Sequence, residues 1–214
     1  MPTFALVATI KPEARSDVSL RLHTVPPFDL PLDGIDGHQA FLGVEHAAFL
    51  FWGPDPEGAL VRASGRVDVQ QRVARAIEGL NMPRKLDERF SWERPELEPR
   101  PEGRAVAVLV RGTRLRDDAD GAAAHRLGES LGAALERERV FVGEDTALLV
   151  FERTGDPGDD DPYVSLRVIG ESAPLVPLRP LEVLEQTFWF EADEQLPPRP
   201  ARGVLLHDAP TASG

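Results

Sequence analysis

The sequence predicts an α+β protein built from two tandem βαββαβ units, and three observations carry that expectation. The stretch AFLGVEHAAFLFW at 40–52 returns as VFVGEDTALLVF at 140–151, so that Phe41, Gly43, Ala47 and Phe51 meet Phe141, Gly143, Ala147 and Phe151 at an offset of 100 residues. The same offset lays FALVATIKP at 4–12 over RAVAVLVRG at 104–112. It also lays ERFSWER at 88–94 over FWFEADE at 188–194, with Phe90 on Phe190.

The runs at 4–12 and 104–112 are short, nearly continuous and apolar, which suits strands buried on both faces. Between 13 and 37 the chain carries Pro26, Pro27, Pro31, Gly34 and Gly37, and Val18, Leu20 and Leu22 alternate as in a strand. The first helix of copy one is therefore expected to be degraded, or the segment to do something else. Next come the two hairpins, each a strand, a tight turn at Gly43 or Gly143, and a second strand. Asp68 and Gln71 form a capping-box pattern for a helix with Val69, Val73, Ile77 and Leu80 on one face, ended by Asn81 and Pro83. In copy two Asp120 caps a helix running to about Glu138, with Ala124, Leu127, Leu131 and Leu135 in period. PLRPLEVLEQ at 177–186 predicts a shorter, later helix with Pro180 in its first turn and Leu181, Leu184 and Phe188 in period. The Pro-rich, charged PELEPRPEGR at 95–104 marks the boundary. Repeat 1 is thus placed at 1–95, a linker at 96–103, repeat 2 at 104–194 and a Pro-rich C-terminal tail at 195–214, where Val204–Leu206 is an apolar patch suited to an extra strand.

Of the 214 residues 42% are hydrophobic and 28% charged, an ordinary balance for a globular chain with a sizeable core. The longest apolar runs, Ala47–Trp52 and Ala105–Val110, have six residues, against roughly 20 for a membrane-spanning helix. No membrane association is expected. The N-terminus has no basic residue ahead of a short apolar stretch, unlike a secretory signal. With no cysteine, a cytoplasmic location is the default. The net charge of −12 and the dispersal of the 24 basic residues argue against a nucleic-acid partner. The acidic tracts at 116–121 and 155–162 lack the spacing of an EF-hand and read as loops.

Two fused ferredoxin-like units, with the hairpin pattern GH-x-x-F-x-G followed by A-x-F-L-F at 37–51, resemble the dimeric α+β barrel superfamily over residues 3 to about 194. The resemblance implies that the two four-stranded sheets pack face to face within one chain as a pseudo-dimeric α+β barrel. It also implies a choice among cofactor-free monooxygenases, polyketide cyclases, haem-binding enzymes and stress-responsive proteins, because such a fold hosts many functions. No position here carries over the haem branch's axial ligand, so no cofactor is expected.

His46 lies in the hairpin turn beside Glu45, where copy two has Thr146. It is the candidate catalytic residue, a general base toward a ligand in the barrel mouth with its pKa raised by the neighbouring carboxylate; the alternative is a solvated turn residue. His38, eight residues earlier, is expected to approach His46 across the strand ends and, with Trp52, to line a ligand pocket. Trp52 stands where copy two has Glu152, an asymmetry that either a single pocket in a duplicated scaffold or neutral drift leaves. Two histidines without a third ligand make a poor metal site, and no metal is expected.

The function expected is that of a small-molecule-binding or stress/accessory barrel protein whose partner is a small apolar ligand. The alternative is a cofactor-independent monooxygenase or polyketide-cyclase-like enzyme acting on an aromatic substrate. An open apolar cavity reached by His46 favours the enzyme, and a barrel filled by Leu, Phe and Val favours the accessory role. One chain that supplies both barrel halves is expected to be a monomer, or a dimer through a non-sheet surface.

Overall fold

A computed structural model describes residues 2–24, 33–93, 104–111, 135–153 and 180–191. The elements in chain order are β1 (Thr3–Thr9), α1 (Arg15–Thr24), β2 (Gly37–Leu42), β3 (His46–Trp52), α2 (Pro56–Ala63), α3 (Val67–Ile77), β4 (Arg84–Glu93), β5 (Arg104–Arg111), β6 (Leu135–Val142), β7 (Thr146–Arg153) and β8 (Pro180–Glu191). The strands close into a barrel in the order β1-β3-β2-β8-β5-β7-β6-β4, every pairing antiparallel. The first four run β4-β1-β3-β2 and the last four β8-β5-β7-β6, and the seams β2–β8 and β4–β6 join the two sets.

The hairpins keep the offset read from the sequence, since Phe41 pairs with Ala48 and Phe141 with Leu148. The outer strands do not. Phe51 pairs with Phe4 and Phe151 with Val106, so Phe4 corresponds to Val106, two residues beyond the position expected. Phe90 pairs with Val140 and Phe188 with Ala40, so the counterpart of Phe90 is Phe188 and not Phe190. A slip of two residues leaves each side chain on the same face of a strand, which is why the apolar pattern matched at either offset.

Side chains alternate across a strand, and the barrel wall accordingly carries two apolar layers. One cluster holds strand residues of both halves and no helix residue, including Ala5, Val7, Phe41, Leu50, Leu86, Phe141, Leu148 and Leu184. It fills the lumen. The other sets Phe4, Ala40, Phe49 and Phe51 against Val18 and Leu22 of α1, Ala59 and Ala63 of α2 and Val69 of α3. Each large side chain fully removed from water contributes about 1.5–3 kcal/mol, and Phe41, Phe49, Phe51, Phe141 and Phe151 are all fully buried.

Several helical expectations are corrected. The first helix is present as α1, with Val18 and Leu22 buried and Leu20 67% exposed, so spacing of four residues overrides the apparent alternation. The unexpected α2 starts at Asp55, whose side chain accepts from the Gly58 amide at 3.1 Å, with Pro56 in the first turn. In α3 Arg66 holds the cap position and Asp68 pairs with Arg66 at 2.8 Å, so the expected capping box is not formed. The helix stops before Gly79, whose φ of 81° lies in the left-handed region and where a Cβ would meet Ala14 and Val18. Residues 135–138 belong to β6 and not to a helix, because they pair with β7. Likewise 180–191 is a strand hydrogen-bonded on both sides, to β2 and β5, and this double pairing outweighs the helical spacing of Leu181, Leu184 and Phe188. The body of the helix expected from Asp120, the linker at 96–103, both acidic tracts and the tail lie outside the described residues. Among the described residues no helix is long and apolar enough to cross a membrane.

Candidate functional site

A cavity of about 310 Å³ opens between the helices and the outer face of β1 and β3. Its floor is the cross-strand pair Leu6 and Phe49. The walls are Leu60 and Ala63 of α2 and Val69, Val73 and Ile77 of α3. Small residues make the room, since Ala63 and Ala74 face it where larger side chains would fill it. Among the described residues Ser64 and Gln70 are the polar side chains of the lining, and no titratable side chain contributes. Ser64 Oγ donates to Val61 O at 2.6 Å, and Gln70 Nε2 donates to Ser64 O, tying the end of α2 to α3.

A second polar constellation lies on the β2–β8 seam. His46 Nδ1 is 2.7 Å from Glu182 Oε2, and Glu182 Oε1 accepts from the Glu45 amide at 2.8 Å. Burial pushes the Glu182 carboxyl up, but hydrogen bonds from His46 and from the Glu45 and Val44 amides, with the charge of His46, hold it below the usual carboxylate range. Gly43 is required beside it, because a Cβ there would collide with Glu182 and Leu184. Glu182 pairs with Leu109 of β5 just as Arg84 pairs with Val7 of β1, so the corresponding place on the other seam carries Arg84. Arg84 bonds Asp145 at 3.1 Å in the open, with side chains 72% and 64% exposed.

His38 and Trp52 sit at the other end of the barrel. His38 pairs with Phe51 and His46 with Thr9, five strand residues or roughly 17 Å away. The expected approach of the two histidines is therefore corrected: His46 begins β3, His38 lies on β2 beside the far end of β3, and the two face opposite sides of the wall. His38 stacks on Phe51 with ring centroids 6.0 Å apart, and burial lowers its pKa to about 3. Trp52 is buried, with the Arg139 guanidinium 5.6 Å from its ring centroid. Glu88, near Arg139, has its pKa raised chiefly by burial. The lumen between these ends is occupied by apolar side chains, and His46 does not line the helix–sheet cavity. Among the described residues no group of three metal-ligating side chains occurs. Sequence reading missed Glu182, assigned there to a helix, and missed Ser64 and Gln70; the Asp55-Pro56 start signal of α2 could have pointed to Ser64.

A closed antiparallel barrel with helices against its outer face defines an α+β barrel, the fold the resemblance implied. Among solved structures, that of an anthrone oxidase-like protein is similar at a TM-score of 0.52 and 10% identity, over 92% of this chain and 96% of that one. A candidate monooxygenase from Lactobacillus acidophilus is similar at 0.51 and 9%, over 89% and 97%. These likenesses are of fold. No protein-family model and no curated protein sequence matches the chain.

Proposed function

We propose that this protein binds a small, largely apolar molecule between α2, α3 and the outer face of β1 and β3. The observation that carries the reading is the cavity itself: about 310 Å³, lined mainly by Leu, Val, Ile, Ala and Phe, and without a titratable side chain among the described residues. That volume falls at the low end of small-molecule sites, about 300–1,000 Å³. An acid–base catalyst needs a titratable group within hydrogen-bond reach of its substrate, so binding precedes chemistry as the role of this site. The filled lumen points the same way. We read the two halves as copies of one ferredoxin-like unit, supported by their common strand order.

Titration with the uncharged fluorophore N-phenyl-1-naphthylamine tests the reading, together with native mass spectrometry of protein from its own host for a retained molecule. Saturable binding that Ala74→Phe removes is the expected result. Saturable binding unchanged by that substitution overturns it.

A second reading, cofactor-independent oxygenation of an aromatic substrate, is favoured by the names of the two similar structures. With an anthrone, the reaction would convert the ring methylene to a carbonyl, one atom of dioxygen entering the product and the other leaving as water. Oxygen uptake with 1,8-dihydroxyanthrone no faster than in protein-free buffer would remove this reading and leave the binding role standing.

A further inference from the structure

We infer that the ligand of the helix–sheet cavity carries a hydrogen-bond donor, a hydroxyl or N–H group, at one end of an apolar body. The inference rests on the cavity reading and adds the polarity of what enters. Ser64 Oγ spends its only proton on the Val61 carbonyl. Gln70 turns its amide nitrogen to the Ser64 carbonyl, and because a carbonyl can only accept, the orientation of that amide is fixed by its partner. What remains on the polar side of the lining is the Gln70 carbonyl oxygen, the lone pairs of Ser64 Oγ and the second N–H of the Gln70 amide, so acceptor sites outnumber the one spare donor. Turning the Ser64 hydroxyl outward to donate would break its bond within the last turn of α2. A carboxylate or phosphate, which only accepts, would find that single N–H and face acceptors elsewhere, and the net charge of −12 adds repulsion. A phenol or an alcohol meets the same groups with its proton. The Phe49 floor and the aliphatic walls accept the rest of the molecule. Both polar residues are exposed at the edge of the cavity, where water competes, so the preference should be modest.

Isothermal titration calorimetry at neutral pH with 2-naphthol, 2-methoxynaphthalene and 2-naphthoate tests this on the full chain. In the wild type, naphthoate should bind most weakly of the three. The naphthol-to-ether affinity ratio should fall roughly threefold to tenfold in Gln70→Leu, the factor expected for one net hydrogen bond, and fall likewise in Ser64→Ala. A ratio unchanged in both variants, or naphthoate binding best, overturns the inference while leaving the cavity as a binding site. Binding of none of the three overturns the cavity reading and this inference with it.

Discussion

His46 and Glu182, 136 residues apart in sequence, meet at 2.7 Å and clasp the turn of the first hairpin to the last strand of the barrel. Both side chains are largely shielded, at 23% and 14% exposure, and the same carboxylate takes the Glu45 amide. Arg84 and Asp145 occupy the matching place on the opposite seam in open solvent. Glu182→Gln is therefore expected to cost about 1–3 kcal/mol at neutral pH, the range for a shielded charged hydrogen bond. Arg84→Ala should cost about 0.5 kcal/mol or less, as exposed ion pairs do. Urea melts of the two variants check the contrast, and equal losses would remove it.

Acid should expose the same carboxylate. Its pKa is held below the ordinary 4.5 in the folded chain, so its contribution is complete above that value and is lost as pH falls through the folded pKa. The stability gap between wild type and Glu182→Gln should narrow as pH falls below about 5. A gap that widens below that pH contradicts the assignment.

His38 acts over a different window. Burial lowers its pKa from 6.5 to about 3, so between those values the unfolded chain binds a proton that the folded chain refuses. Stability is full above 6.5 and falls on acidification by up to about 1.4 kcal/mol per pH unit. His38→Phe keeps a ring against Phe51 and should flatten that slope. Melts at pH 7.5 and 5.5 give the answer, and an unchanged slope would show that other groups set it.

Phe51 and Phe151 occupy corresponding positions on β3 and β7, both fully buried. Truncation to Ala should cost roughly 3–5 kcal/mol at each site, the usual penalty for deleting a buried ring. Chemical denaturation of the two variants tests this, and a small loss at either would show that the layer behind that strand collapses to fill the space.

Every described strand has a neighbour on both sides, so among the described residues no strand edge remains for a second chain to pair with. Light scattering is expected to return the mass of one chain, or of a dimer joined through a surface other than the sheets. An obligate dimer joined through the sheets would contradict this.

How far the sequence was legible follows from the physics of each element. The hairpins could be read because identical residues at Phe41, Gly43, Ala47 and Phe51 fix both face and register. The flanking strands could be read as strands, but their offset could not, since apolar alternation repeats every two residues. The strand at 180–191 was hidden because Leu184 fits a helical stripe as well as a lumen-facing row, and only its pairing with β2 and β5 decides. His46 stood out as a lone histidine in a turn. Glu182 could not, because its partner is brought by a seam between halves. The cavity is a product of how α2 and α3 lie on the sheet, and one of those helices went unread.

The two seams also fix an order of events during synthesis. When β4 leaves the ribosome, the sheet β4-β1-β3-β2 is complete except for its margins, and both margins wait: β4 for β6, and β2 for β8, where Gly37 meets Glu191. Until then the nascent chain presents two open strand edges, each with its outward-facing amides and carbonyls unpaired. A first half released early has two ways to satisfy them, by joining a second copy of itself into a two-chain barrel or by indiscriminate strand addition. Translation pausing or truncation before residue 180 should therefore produce self-association rather than a soluble half-protein.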